Sequence, residues 1–236
     1  MTMEKKFSRY SRQIFMEEVS IEGQKKLDQS RVLVIGAGGL GSAILPYLAA
    51  AGIGKLGVID FDQVEFHNLN RQVIHQEKFV GQSKIKSAES YIQQFNSDIE
   101  FIGYNTKLTS RNIEEIFSAY DMIVDGSDNF ETRYLVNDYC VSMGKTLIYG
   151  SIYSFEGQVA VFNYQGSKNL RDIFPSAPNS EDVPNCDQFG VLGALAGMTG
   201  SMMAMLALKV ILEIEIPINQ LTIIDSKHWS FLQVGF

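Results

Sequence analysis

The stretch that decides the fold is Arg31–Leu48, RVLVIGAGGLGSAILPYL. Val32–Ile35 is a continuous apolar run bounded by turn residues, which predicts a buried strand. It enters a glycine turn with G-x-G-x-x-G spacing at Gly36, Gly38 and Gly41, with a further glycine at Gly39. A helical pattern, Leu40–Ala51, leaves it. Such a turn lets backbone approach a phosphate closely and aims a helix N-terminus at it. A dinucleotide redox cofactor and an ATP about to be cleaved both fit, so the rest of the chain has to separate them. Pro46 lies inside the helical pattern, where proline costs about 3 kcal/mol unless the helix kinks.

Outward from this turn, strand and helix patterns alternate. KLGVIDFD reads as a second strand ending on acids, and SKIKSAESYIQQFN as a helix with Ser83 as its cap. IEFIGYN, DMIVDGSDN and KTLIYGSI read as strands; RNIEEIFSAY and FETRYLVNDYCVSMG read as helices. This alternation predicts an α/β fold, a Rossmann-like, mostly parallel sheet with crossover helices. Later the style changes: GQVAVFNYQGS resembles a hairpin strand, residues 165–189 are polar and irregular, and QLTIID is a further strand. Antiparallel strands are therefore expected to extend the sheet. With no linker or repeat in view, residues 1–236 read as a single domain. Its parts are an N-terminal arm (1–30), a nucleotide-binding part (31–150), and a part for partner and dimer contacts (151–236).

Composition narrows the function. The chain has 236 residues and a formal net charge of −7, which argues against a general nucleic-acid binder. The N-terminal residues lack an apolar core of the secretory kind, and the two cysteines, Cys140 and Cys186, are far apart. Free thiols in a cytoplasmic protein are the expectation. Val191–Leu208 carries no charge and reaches membrane-span length. Its glycines, Thr and Ser, with small residues at Gly193/Gly197 and Ala196/Gly200, suit a closely packed buried helix equally well.

Residues beyond the turn bear on the nucleotide. Asp60 closes the second strand, where an acid binds ribose hydroxyls in dinucleotide folds. DFDQVEFHNLNRQVIH then places Asn68, Arg71 and Gln72 in a loop, and Lys84 opens the next helix. Extra cations suit a site where phosphoryl charge grows as pyrophosphate departs, and hydride transfer has no need of them. Asp128 follows a strand's carboxyl end, where an acid could hold Mg2+ against phosphates. His67, His75 and His228 have no metal-ligand spacing and read as loop and surface residues.

Taken together, RYSRQ, GAGGLGS, DFDQVEFHNLNRQ, GQSK, DGSDNFETR and GVLGALAGMTGSMMAMLALK resemble the ThiF/MoeB/HesA family, bacterial relatives of ubiquitin-activating enzymes. The resemblance runs from Arg9 to about Lys209. It implies a cytoplasmic, homodimeric adenylyltransferase that uses ATP and Mg2+ to activate the C-terminal glycine of a ubiquitin-like sulfur carrier protein ending in Gly-Gly. On that resemblance Gly36, Gly38, Gly39 and Gly41 form the phosphate turn and Asp60 binds ribose. Asn68, Arg71, Gln72 and Lys84 surround the phosphates, and Asp128 holds Mg2+ beside Asn129. Arg12 acts in the partner subunit's site, and the uncharged segment becomes a core helix, with no membrane or nucleic-acid partner.

The chain also departs from the family pattern. Where many members carry zinc-binding cysteine pairs, NLRDIFP places Asn169 and Asp172, so no zinc is expected. Cys186 matches a cysteine that some members link covalently to the carrier, which tilts the expectation toward a thiamine-type over a molybdopterin-type carrier. An NAD(P)-dependent oxidoreductase and a non-catalytic carrier-binding scaffold are the alternatives.

Overall fold

The computed structural model describes residues 3–178 and 190–236. Among these, β1 (Arg31–Ile35), β2 (Lys55–Ile59), β3 (Glu100–Tyr104), β4 (Met122–Asp125) and β5 (Thr146–Tyr153) are followed by β6 (Glu156–Phe162), β7 (Gln220–Asp225) and β8 (Ser230–Gly235). They form one sheet in the order β3-β2-β1-β4-β5-β6-β7-β8. Pairing is parallel from β3 to β5, with Val34 of β1 opposite Val58 and Val124. It is antiparallel from β5 to β8, with Tyr149 opposite Ala160. The fold is the expected α/β sheet with its antiparallel extension.

The helices are α1 (Met3–Ile14), α2 (Ser20–Gln29), α3 (Gly41–Ala51), α4 (Lys84–Phe95), α5 (Ile113–Ser118), α6 (Phe130–Ser142), α7 (Leu170–Ile173) and α8 (Gly193–Ile211). Alternation along β1 divides the core in two, because successive side chains leave a strand on opposite faces. Val32 and Val34 face α3, α4 and α8 through Leu45, Ile92 and Met203. Leu33 and Ile35 face α5 and α6 through Phe117, Val136 and Cys140. Strands buried on both faces need continuous apolar runs, which is why RVLVI could be read directly.

The N-terminal arm is helical. Its Tyr10 is buried, and the hydroxyl accepts a hydrogen bond from the Asn96 amide at 3.0 Å. The ring lies against Gly52, the left-handed residue (φ +86°) that ends α3, where a Cβ would stand 2.6 Å from it. Pro46 is accommodated inside α3 on its half-exposed side, next to exposed Tyr47.

Helix α8 is long and apolar enough to cross a membrane, yet Leu195, Ala196, Met203 and Ala207 are buried in the core. Its small residues have a specific use. A Cβ on Gly200 would stand 2.6 Å from the Leu40 carbonyl, and one on Gly193 would stand 2.3 Å from that of Asn70. Two glycines therefore let α8 press on the glycine turn and the 66–72 loop from behind.

Candidate active site

A cavity of about 330 Å3 opens at the carboxyl ends of β1, β2 and β4. From β1 the chain runs to β2 on one side and resumes at β4 on the other, and open α/β sheets bind ligands at such a reversal. Gly36, Gly38 and Gly39 line the cavity. Gly41 is outside the lining and serves the turn itself: a Cβ there would stand 2.2 Å from the Gly36 carbonyl oxygen.

The acid after β2 is buried, and each of its oxygens accepts one backbone N–H. One Asp60 oxygen accepts the Ala37 N–H at 2.8 Å, and the other accepts the Asp62 N–H at 2.8 Å. Burial raises its pKa, against the charge of Lys84 and these two donors. Lys84, only 6% exposed, donates to the Asp62 carboxylate at 2.7 Å. It reaches the cavity from the first turn of α4, whose cap is the expected one: Ser83 Oγ accepts the Lys86 N–H at 3.2 Å. Arg71 is half-buried and donates to the His67 carbonyl and the Asn70 side chain, both at 3.1 Å. Gln72 is buried at the wall, and its Oε1 lacks a partner.

Asn68 is also buried but faces its own loop. Its Oδ1 accepts the Glu65 N–H at 3.0 Å, and it does not line the cavity. Across the cleft, Asp128 and Asn129 are exposed on the wall after β4. Asn129 caps α6 by accepting the Thr132 N–H at 2.9 Å. Behind them Asp125 is fully buried; its Oδ1 accepts the Ser127 N–H at 2.9 Å while Oδ2 is unpaired, and burial raises its pKa.

Residues 10–234 match the ThiF family. The chain belongs to that family. Adenylyltransferase and sulfurtransferase MOCS3 of Anopheles gambiae is 45% identical over 225 residues, covering 95% of this chain and 51% of that protein. Sulfur carrier protein adenylyltransferase of Thermus thermophilus is 44% identical over 229 residues, covering 94% of this chain and 84% of that protein. The chain thus spans about half the length of the MOCS3 relatives it matches. Among solved structures, Escherichia coli MccB with ATP superposes with a TM-score of 0.83 at 24% identity, covering 96% of this chain and 71% of that one. MccB with MccA-N7isoASN gives 0.86 at 21%, covering 100% of this chain and 72% of that one. At such identities the likeness speaks for the fold alone.

Within this ThiF-family site the structure gathers Gly36, Gly38, Gly39, Asp60, Arg71, Gln72, Lys84, Asp128 and Asn129 around one cavity. Arg12 is exposed on α1 and is not among the lining residues. Cys186 lies outside the described residues. His75 is a correction: it is 5% exposed, not a surface residue, because its ring is bonded on both sides under the glycine turn.

Sequence reading passed over two charged groups. Asp62, the second acid of DFD, is the partner of Lys84. Arg133, the last residue of SDNFETR, is buried and lines the cavity. It donates to the Ser127 carbonyl at 2.9 Å and the Tyr149 hydroxyl at 3.0 Å, and lies over the Tyr149 ring at 5.3 Å. Both stood inside quoted motifs, but only the fold shows what they touch.

Proposed function

We propose that the chain is an ATP-dependent adenylyltransferase that activates the C-terminal carboxylate of a small carrier protein and releases pyrophosphate. One observation carries this reading: a glycine turn, the cations Lys84 and Arg71, and the exposed carboxylate of Asp128 meet in one cavity. The relative from Thermus thermophilus, named a sulfur carrier protein adenylyltransferase, supports the same class.

The carrier carboxylate is already ionised, so it needs no base. It attacks the α-phosphorus of ATP, forming an acyl-phosphate bond as the bond to pyrophosphate breaks. The protein has to hold two anions together and oppose the charge that grows on the leaving group. Lys84 supplies a point charge and Arg71 a planar fork, which suits phosphate oxygens. The turn presents backbone amides, and Asp60, held in place by two backbone donors, has lone pairs left for ribose hydroxyls.

Magnesium fits as a companion of the nucleotide. Asp128 offers a carboxylate whose hydrogen bond is a long one, 3.4 Å from the Asn129 amide. Among the described residues no three His, Cys, Asp or Glu side chains gather into a metal cage. Magnesium is commonly held by one or two carboxylates with substrate phosphates, and when bound it would neutralise phosphate charge.

The carrier class we favour is the ubiquitin-like sulfur carrier with a Gly-Gly end, working with a homodimer in which Arg12 completes the partner's site. An exposed apolar patch supports a protein partner: Phe231 of β8 and Met205 of α8 line one hollow, with the Trp229 ring against Phe231, and all three are more than 50% exposed. Single exposed apolar residues are ordinary, but a contiguous set at a sheet edge marks an interaction surface.

ATP–pyrophosphate exchange tests the reading, with Gly-Gly carriers of thiamine and molybdopterin type added singly. Exchange with one of them is the expected result. Binding of NAD(P)H without binding of magnesium-ATP would overturn the proposal in favour of an oxidoreductase.

A further inference from the structure

His75 is held between two segments that both face the cavity. Its Nε2 lies 2.9 Å from the Ala37 carbonyl oxygen, inside the glycine turn. Its Nδ1 lies 2.9 Å from Ser87 Oγ on α4, one helical turn beyond Lys84. A carbonyl only accepts, so Nε2 carries the hydrogen, and the neutral ring leaves Nδ1 to accept from the Ser87 hydroxyl. Burial keeps the ring neutral, with a pKa lowered to about 4.

Ala37 is therefore held on both sides: its N–H, in the peptide from Gly36, donates to Asp60, and its C=O, in the peptide to Gly38, accepts from His75. Among the described residues there is no cis bond, and in a trans peptide the C=O and the following N–H point in opposite directions. With the Ala37 carbonyl drawn toward His75, the Gly38 N–H must point the other way. Gly38 lines the cavity, and among the described residues its N–H has no acceptor.

We propose that His75 is a positioning residue for the nucleotide: by holding the Ala37 carbonyl it aims the Gly38 amide at a phosphate of ATP. The role rests on the adenylyltransferase reading above. It also ties the glycine turn to the helix that delivers Lys84, so that one buried ring sets the spacing of two phosphate contacts.

The test compares affinity for a non-hydrolysable ATP analogue with affinity for adenosine, which lacks phosphates, both with magnesium. Wild type that binds no ATP analogue would bring down the adenylyltransferase reading and this one with it. Given wild-type binding, His75→Leu should weaken the analogue about ten- to a hundredfold and leave adenosine unchanged. His75→Gln, whose amide can donate at the Nε2 position, should recover most of the loss. Equal losses for analogue and adenosine, no loss at all, or a glutamine variant as weak as the leucine one would each overturn the proposal. Should circular dichroism show His75→Leu unfolded, His75→Asn, too short to reach Ala37, is judged by the same pair of affinities.

Discussion

The carboxyl edge of the parallel strands and the segment after β6, residues 163–178, are both rich in polar groups, yet they are stabilised differently. At the edge Asp60, Gln72, His75, Lys84, Ser127 and Arg133 are all less than 9% exposed. Asp60, His75 and Arg133 are each held by buried side chains or nearby backbone, so removing one strands its partner at about 1–3 kcal/mol. In the later segment the principal ion pair, Arg171–Asp138 at 2.6 Å, has both side chains 43% exposed. Asn169 and Asp172 cap each other. The Asn169 N–H and side-chain amide both donate to Asp172 at 2.7 Å. Water replaces such partners readily, so the cavity edge should be brittle and the later segment tolerant.

Glycines give the largest contrast. Ala at Gly41 would put a Cβ 2.2 Å from a backbone carbonyl oxygen, and no flexible side chain is there to yield. Gly41→Ala should lower the melting temperature by about 10 °C or prevent folding. Gly166, after β6, has a left-handed φ of +80° but open space around it. Gly166→Ala should cost only about 1 kcal/mol. Similar losses in thermal melts of the two variants would dissolve the contrast.

The next effect is on rate. Lys84→Ala removes a buried cation but leaves its partner Asp62 half-exposed, able to hydrate. The fold should persist while ATP–pyrophosphate exchange falls by about two to three orders of magnitude, as for other groups opposing transition-state charge. Exchange within a few-fold of wild type would remove Lys84 from the chemistry.

Brittleness also has a pH signature at His75. Its folded pKa is near 4 against an unfolded value of 6.5, so between these the unfolded chain binds a proton that the folded one refuses. Stability should therefore fall as pH drops from 6.5 toward 4, by a contribution on the order of 3 kcal/mol. Asp60 and Asp125, with pKa values raised by burial, act in the opposite sense, but they are common to wild type and His75→Gln. The difference between their urea-unfolding curves isolates the histidine. Parallel pH profiles would show that His75 is not held neutral by burial.

What the sequence disclosed follows the same division. Strands buried on both faces must be apolar throughout, and a turn facing phosphate must be glycine-rich, so RVLVIGAGG announced itself. Ser83 was legible as a cap because capping is local. Asp62, His75 and Arg133 were not, since their roles depend on partners brought close only by the fold: Lys84, Ala37 and Ser87, Ser127 and Tyr149. The helices of residues 3–29 and strand β8 also passed unread. The β8 side chains are exposed throughout, so no buried face imposed a period there, while few described side chains of the two helices are buried, Tyr10, Gln24 and Leu27 among them.

Tyr134 supplies the smallest effect and the sharpest check on the tolerant segment. It sits on α6 in the second core, 7% exposed, with its hydroxyl 2.9 Å from the Phe174 carbonyl and 2.8 Å from that of Ser176. One hydroxyl hydrogen serves the two acceptors in turn, so its loss removes about one hydrogen bond's worth of tethering. Arg171 lies 4.8 Å from the ring centre, and a phenyl ring keeps that contact. Tyr134→Phe should therefore cost about 1 kcal/mol, a fall of about 2–4 °C in Tm for a chain of this size. Proteolytic nicking near residues 174–178 should become faster, while nucleotide affinity stays at the wild-type level. A fall as large as that of Gly41→Ala would mean that this segment is as tightly interlocked as the cavity edge, and that burial, more than exposure, governs it too.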